Sequence, residues 1–140
     1  MKEITTRRLS SSALQEQLEE ICKNLIYISE TDSPVRPFMD SKIESITSNS
    51  VARALGRVST EPVERVDIQV FFEKLTRSRE WHRATQKTTA ELFGRLEKLL
   101  TENLEDASVF RFGTIRIDIF VVGKDARGNL SGVKTKAVET

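Results

Sequence analysis

From Ile115 onward the chain alternates: Ile115, Ile117, Ile119 and Val121 are apolar, and Arg116 and Asp118 stand between the first three. Residues two apart on a strand share a face, so this run is a strand with one covered side. At Phe120 and Val122 the intervening positions turn apolar as well, which demands cover on both faces at that end. The surrounding stretch, Ala107 to Thr140, supplies the neighbours such a strand needs. Val109 to Phe112 reads as a shorter strand, joined through Gly113-Thr114, a two-residue connection of the Gly-first kind found in tight hairpins. Gly123 to Asn129 is a turn rich in Gly, Asp and Lys/Arg, and Leu130 to Val138 is a third run with weaker alternation. The three runs predict an antiparallel meander whose last strand stops one or two residues before Thr140.

Upstream, Met1 to Leu9 has no periodicity and reads as a loose start. Ser10 to Ser12 offers N-cap hydroxyls, with Ser12 and Gln15 at capping-box spacing. The helix they introduce carries Leu14, Leu18, Ile21, Cys22 and Leu25 on one stripe and should end near Leu25 or Ile26. Tyr27 to Pro34 follows as a polar, turn-prone link, and Pro34 forbids the helix from continuing. Glu30 is therefore displayed on a loop, and on the residues alone a solvated turn is the plainer reading.

Val35 to Asp40 predicts a strand that Pro37 confines to an edge or to its own beginning. Between Ser41 and Glu64 the pattern is poor: a short helix fits around Asn49 to Gly56, Glu61-Pro62 marks a break, and a short strand fits Val63 to Val66. Asp67 caps a helical turn carrying Val70, Phe71 and Leu75. Ser78 opens a longer helix of roughly Arg79 to Asn103, with Leu92, Phe93, Leu96, Leu99, Leu100 and Leu104 recurring at three and four. Trp81 lies in its first turn, off that stripe, either as a staple under a loop or as an exposed anchor.

Composition bounds the function. One domain over residues 1–140 is long enough to bury a core unaided. With 22 basic against 21 acidic residues the net charge is +1, so no overall field argues for nucleic acid or a membrane. A lone cysteine, Cys22, reads as core, and with a lone histidine, His82, it falls short of a zinc ligand set. No apolar run reaches transmembrane length and no secretory signal is legible, so the expectation is a cytoplasmic protein without cofactor. No Ser-His-Asp set, phosphate-binding glycine loop or paired carboxylate motif suggests an enzyme.

The words VFRFG, IRIDIFVVG and GNLSGVKTKAVET, together with LIYISETDSP (Leu25 to Pro34), VDIQVFFEKLT (Val66 to Thr76) and the pair Glu80-Trp81, resemble the nuclease A inhibitor family of cyanobacteria. They cover most of the chain in that order, the region from about Val35 to Glu64 excepted. The resemblance implies an inhibitor, acting one to one, of a Mg²⁺-dependent, sugar-non-discriminating nuclease of the ββα-metal type, monomeric when free. It implies that Thr140, through its carboxylate and hydroxyl, occupies the partner's Mg²⁺, that Glu30 enters the active site, and that Trp81 lies in the interface. Glu80 and Glu139, beside these residues, complete the expected contact set. Members of that family are acidic, and this chain is not.

The architecture expected is α+β, a three-layer α/β/α sandwich on a mainly antiparallel sheet of about four strands. The alternative function is a regulatory interaction module with the same fold and another partner. Direct nucleic-acid binding is a distant third and is not expected, since Arg111, Arg116, Lys124, Arg127, Lys134 and Lys136 could line a sheet edge but few aromatics interleave them.

Overall fold

The structure, a computed structural model, describes residues 8–57, 60–77 and 84–140. Its centre is the meander: β5 (Glu105–Phe112), β6 (Arg116–Lys124) and β7 (Asn129–Val138) pair antiparallel, and β6 lies in the middle of the sheet. The register sets Ile119 beside Thr135 and Arg111, and Val121 beside Val133 and Val109. β3 (Arg36–Lys42) adds to the free side of β7, and β4 (Val63–Val66) adds to β5, giving the order β3-β7-β6-β5-β4. The main sheet thus has five strands where four were expected. Pro37 sits on the edge strand β3, where a missing N–H costs no ladder bond.

The two-sided apolar end of β6 divides the core. Val109, Ile117, Ile119, Val121, Val133 and Ala137 face one way. Over them pack Leu14 and Leu18 of α1 (Ser11–Cys22), Ile68 and Phe72 of α3 (Ile68–Thr76), and Phe93, Leu96 and Leu100 of α4 (Ala84–Asn103). Phe110, Phe112, Phe120, Val122 and Leu130 face the other way, against Ile46 and the Val51 of α2 (Ser48–Ala54). Among the described residues, one short helix covers this second face only in part.

The helix starts follow local chemistry. The Ser10 hydroxyl accepts from Ala13 N–H at 3.2 Å and Asp67 from Gln69 N–H at 2.8 Å, while Thr47 and Ser50 form a reciprocal capping box. α1 ends at Cys22, three residues before the expected limit, yet Leu25 is still buried. The first described residue of α4 is Ala84, so the expected start at Ser78-Arg79 lies outside the described residues, as does His82.

The structure corrects two local expectations. Tyr27 to Pro34 is not simply a loop: β1 (Ile26–Ile28) and β2 (Asp32–Pro34) form a small antiparallel hairpin, closed at its base by Val35 N–H on the Leu25 carbonyl (3.0 Å). The β5–β6 connection takes three residues, Gly113 to Ile115, so Ile115 leaves the strand and is exposed. Gly113, at φ +107, makes that turn, and a Cβ there would strike the Arg116 carbonyl at 2.3 Å.

Cys22 is buried on α1 and burial pushes its thiol up to about 12, so almost none of it is thiolate at pH 8. Folded protein should therefore resist a thiol reagent at pH 8 and react on denaturation; rapid labelling of the folded form would contradict this packing.

Candidate partner-binding tip

The C-terminal residues emerge from β7 at the end of the sheet that also carries the β5–β6 turn, and three sets of bonds hold them there. Glu139 N–H donates to the Ile115 carbonyl at 2.9 Å, tying the segment to that turn. On the opposite side the β1–β2 hairpin braces β7, because Val138 N–H donates to the Ser29 hydroxyl (3.0 Å) and Glu30 N–H donates to the Val138 carbonyl (3.2 Å). Thr140 then donates to the Glu30 carboxylate twice. Its N–H reaches Oε2 at 2.7 Å, and its hydroxyl lies 3.0 Å from Oε1 and 2.9 Å from Oε2. Bonds from neutral donors to a carboxylate are among the stronger ones, and here they hold both residues while leaving them exposed.

Beneath this tip lies Arg111, two residues before Gly113 on β5. Its guanidinium touches Glu139 Oε1 at 2.6 Å and Glu64 Oε1 at 3.3 Å, with a side chain only 15 % exposed. Burial works against that charge, but Glu139, Tyr27 and Glu64 outweigh it and leave the Arg111 pKa above its ordinary value. Tyr27 is stacked on Phe71, with ring centroids 5.9 Å apart, and burial raises its pKa despite Arg111 nearby. Arg111 thus fixes Glu139 from below while Glu30 fixes Thr140 from the side.

Apolar side chains surround the tip. Ile28, which precedes Ser29-Glu30, is 68 % exposed, and Ile115, whose carbonyl receives Glu139, is 55 % exposed. Val63, paired with Phe112 next to the Gly113 turn, is 37 % exposed. Water-facing isoleucines beside a charged tip make a mixed surface of the kind protein partners bury.

Of the five contact residues expected from sequence, the structure brings Glu30, Glu139 and Thr140 together. Glu80 and Trp81 lie outside the described residues. Sequence reasoning missed Ser29, Ile115 and the bracing role of Arg111. Their partners lie 109, 24 and 28 positions away, respectively, and nothing local marks them. No cluster of three or more His, Cys, Asp or Glu able to hold a metal ion occurs among the described residues, nor is any described helix long and apolar enough to cross a membrane.

No individually curated protein matches the chain. A family model described as NuiA, nuclease A inhibitor-like protein, matches residues 12–140. That match spans nearly the whole sequence, including the region around Val35 to Glu64 where the resemblance by words is weakest, and the chain belongs to the nuclease A inhibitor-like family.

Proposed function

We propose that this protein inhibits a Mg²⁺-dependent, non-specific endonuclease of the ββα-metal type by presenting Thr140 and Glu30 as one rigid anionic plug. The observation that carries the reading is their meeting: residues 110 positions apart in sequence are joined by hydrogen bonds from both the Thr140 backbone and its hydroxyl. A carboxylate and a hydroxyl in one residue are hard oxygen donors of the kind Mg²⁺ accepts. Placed at the nuclease's metal, they exclude the scissile phosphate. Because Glu139 and Thr140 are already ordered, little conformational entropy is lost on binding. Glu30 has two roles in this reading, as a second anion in the active site and as the clamp that aims Thr140. Ile28, Ile115 and Val63 form an apolar collar against the mouth of the nuclease, and Glu80-Trp81 adds a further contact.

The test is inhibition of a Mg²⁺-dependent non-specific nuclease by wild type and by Glu30→Ala. Losing bonds to a charged group costs roughly 1.5–3 kcal/mol, so the inhibition constant should rise roughly 10- to 100-fold. Glu30 is exposed, so the melting temperature should hardly move. An unchanged inhibition constant would remove Glu30 from the plug. Wild-type protein that inhibits no such nuclease would favour the other reading, an interaction module with the family fold and a different partner.

A further inference from the structure

The second face of the sheet is covered by α2 only over Phe110, Phe112, Phe120, Val122 and Leu130. Among the described residues nothing covers the same face toward the tip, and its side chains turn cationic. Lys134 and Lys136 of β7 point to this face, because Val133 and Ala137 on the alternate positions are in the opposite core cluster. Arg36 of β3 is paired with Lys134 across the ladder and shares its face. These three line an open groove of about 540 Å³ bounded by Pro34 of the hairpin, with Asp118 and Phe120 of β6 on its floor.

The charges in this groove are unbalanced. Among the described residues, none of Arg36, Lys134 or Lys136 forms an ion pair, although Lys134 sits 5.8 Å from the Phe38 ring centroid. Among the described residues the one carboxylate in the lining, Asp118, is already engaged, with Oδ2 at 2.9 Å from Arg57, which Glu61 also holds. Arg116, exposed and two residues before Asp118, extends the positive edge toward the tip. A chain of net charge +1 therefore concentrates unpaired cations on one strip of open sheet.

We infer that this groove binds the phosphodiester backbone of a single nucleic-acid strand. Same-face residues on a strand are about 6.8 Å apart, so Lys134 and Lys136 form a short cationic track of the kind that follows a single-strand backbone. Phe120 is buried to 8 % exposure and offers no free ring for a base, so binding is by charge, without sequence preference and with strong salt dependence. The site is separate in its chemistry from the tip, which is anionic, and the inference does not rest on nuclease inhibition.

Fluorescence anisotropy with the full chain and a labelled mixed-sequence DNA strand of about 20 nucleotides tests it, with no nuclease present. Three phosphate contacts on a single strand predict a salt slope near −2, a loss of affinity of about 20-fold between 50 and 200 mM salt. The triple change Arg36→Glu, Lys134→Glu, Lys136→Glu should weaken binding at least tenfold at the lower salt. A matched triple, Lys74→Glu, Lys87→Glu, Lys98→Glu, alters the total charge equally on exposed positions of α3 and α4 and should retain the groove. Circular dichroism confirms that both variants are folded. Absence of binding by wild type, salt-independent binding, or equal loss in both triples would overturn the inference. So would displacement of the strand by pyrophosphate at matched phosphate concentration, which would assign the groove to a free phosphate ligand.

Discussion

One residue added after Thr140 should abolish nuclease inhibition, and the same residue added at the N-terminus should leave it intact. Extending the chain displaces the terminal carboxylate by about 3.5 Å, whereas oxygen ligands of Mg²⁺ tolerate only about 2.0–2.1 Å and a near-octahedral arrangement. A slack tail could fold back and absorb the insertion, but this one has no slack. Glu139 N–H is held by Ile115, Val138 by the Ser29-Glu30 turn, and Thr140 by Glu30. In the proposed complex the added residue would therefore project forward into the nuclease's metal site instead of looping aside. Loss of the metal contact, worth several kcal/mol, should raise the inhibition constant by at least about 100-fold. Thermal stability should not change in either extended form, because Thr140 is exposed and its bonds to Glu30 do not involve the core. Equal inhibition by both forms would refute the plug while leaving the fold and the family untouched.

This tip is legible in sequence only in parts. Glu30 is singled out only by the family resemblance, its own surroundings reading as a solvated turn, whereas the alternation of β6 locates the meander that delivers Thr140. The contact between them is not legible, because hydrogen bonds between positions 30 and 140 leave no periodic trace. The β1–β2 hairpin is hidden for a related reason. Its strands have three residues each and expose Ile26 and Ile28, so no apolar face marks them, and they are held partly by Ser29 and Thr135 bonding across to β7 and Pro34. Arg111 looks like any strand arginine, and only the pairing of β4 with β5 and the return of β7 bring Glu64 and Glu139 to it. Signals that recur along the chain carry further. The apolar stripe of α4 and the two-faced end of β6 both match the structure, since each repeats one physical requirement several times within a short stretch.

Gly132→Ala should be the most destabilising small substitution in the meander. Gly132 lies on β7 opposite Val122 and Phe38, between the two ladders that join β7 to β6 and β3. Its φ of +153 is one that residues with a Cβ rarely adopt, and a Cβ there would stand 1.9 Å from the Val121 carbonyl oxygen and 2.9 Å from Val122 Cα. Those atoms are the backbone of the central strand, so relief requires moving β6 against β7 instead of rotating a side chain. Backbone strain and overpacking together should cost about 3–5 kcal/mol, a large share of the roughly 5–15 kcal/mol typical of a domain. A fall in melting temperature of about 10–20 °C is expected. Gly128→Ala is the control that separates strain from collision: Gly128 has φ +84, but a Cβ at that position would meet nothing within 4 Å, so only the conformational cost of about 1 kcal/mol applies. The difference also bears on function, because β7 leads directly from Gly132 to the tip. Displacing β7 against β6 would shift Val138 relative to the Ser29-Glu30 turn and Glu139 relative to Ile115, so any Gly132→Ala protein that still folds should inhibit less well than its Gly128→Ala counterpart. Melting temperatures within a few degrees of each other for the two variants would mean that the two strands can separate at Gly132 without loss, and that the rigidity assigned to the strand behind Thr140 is not there.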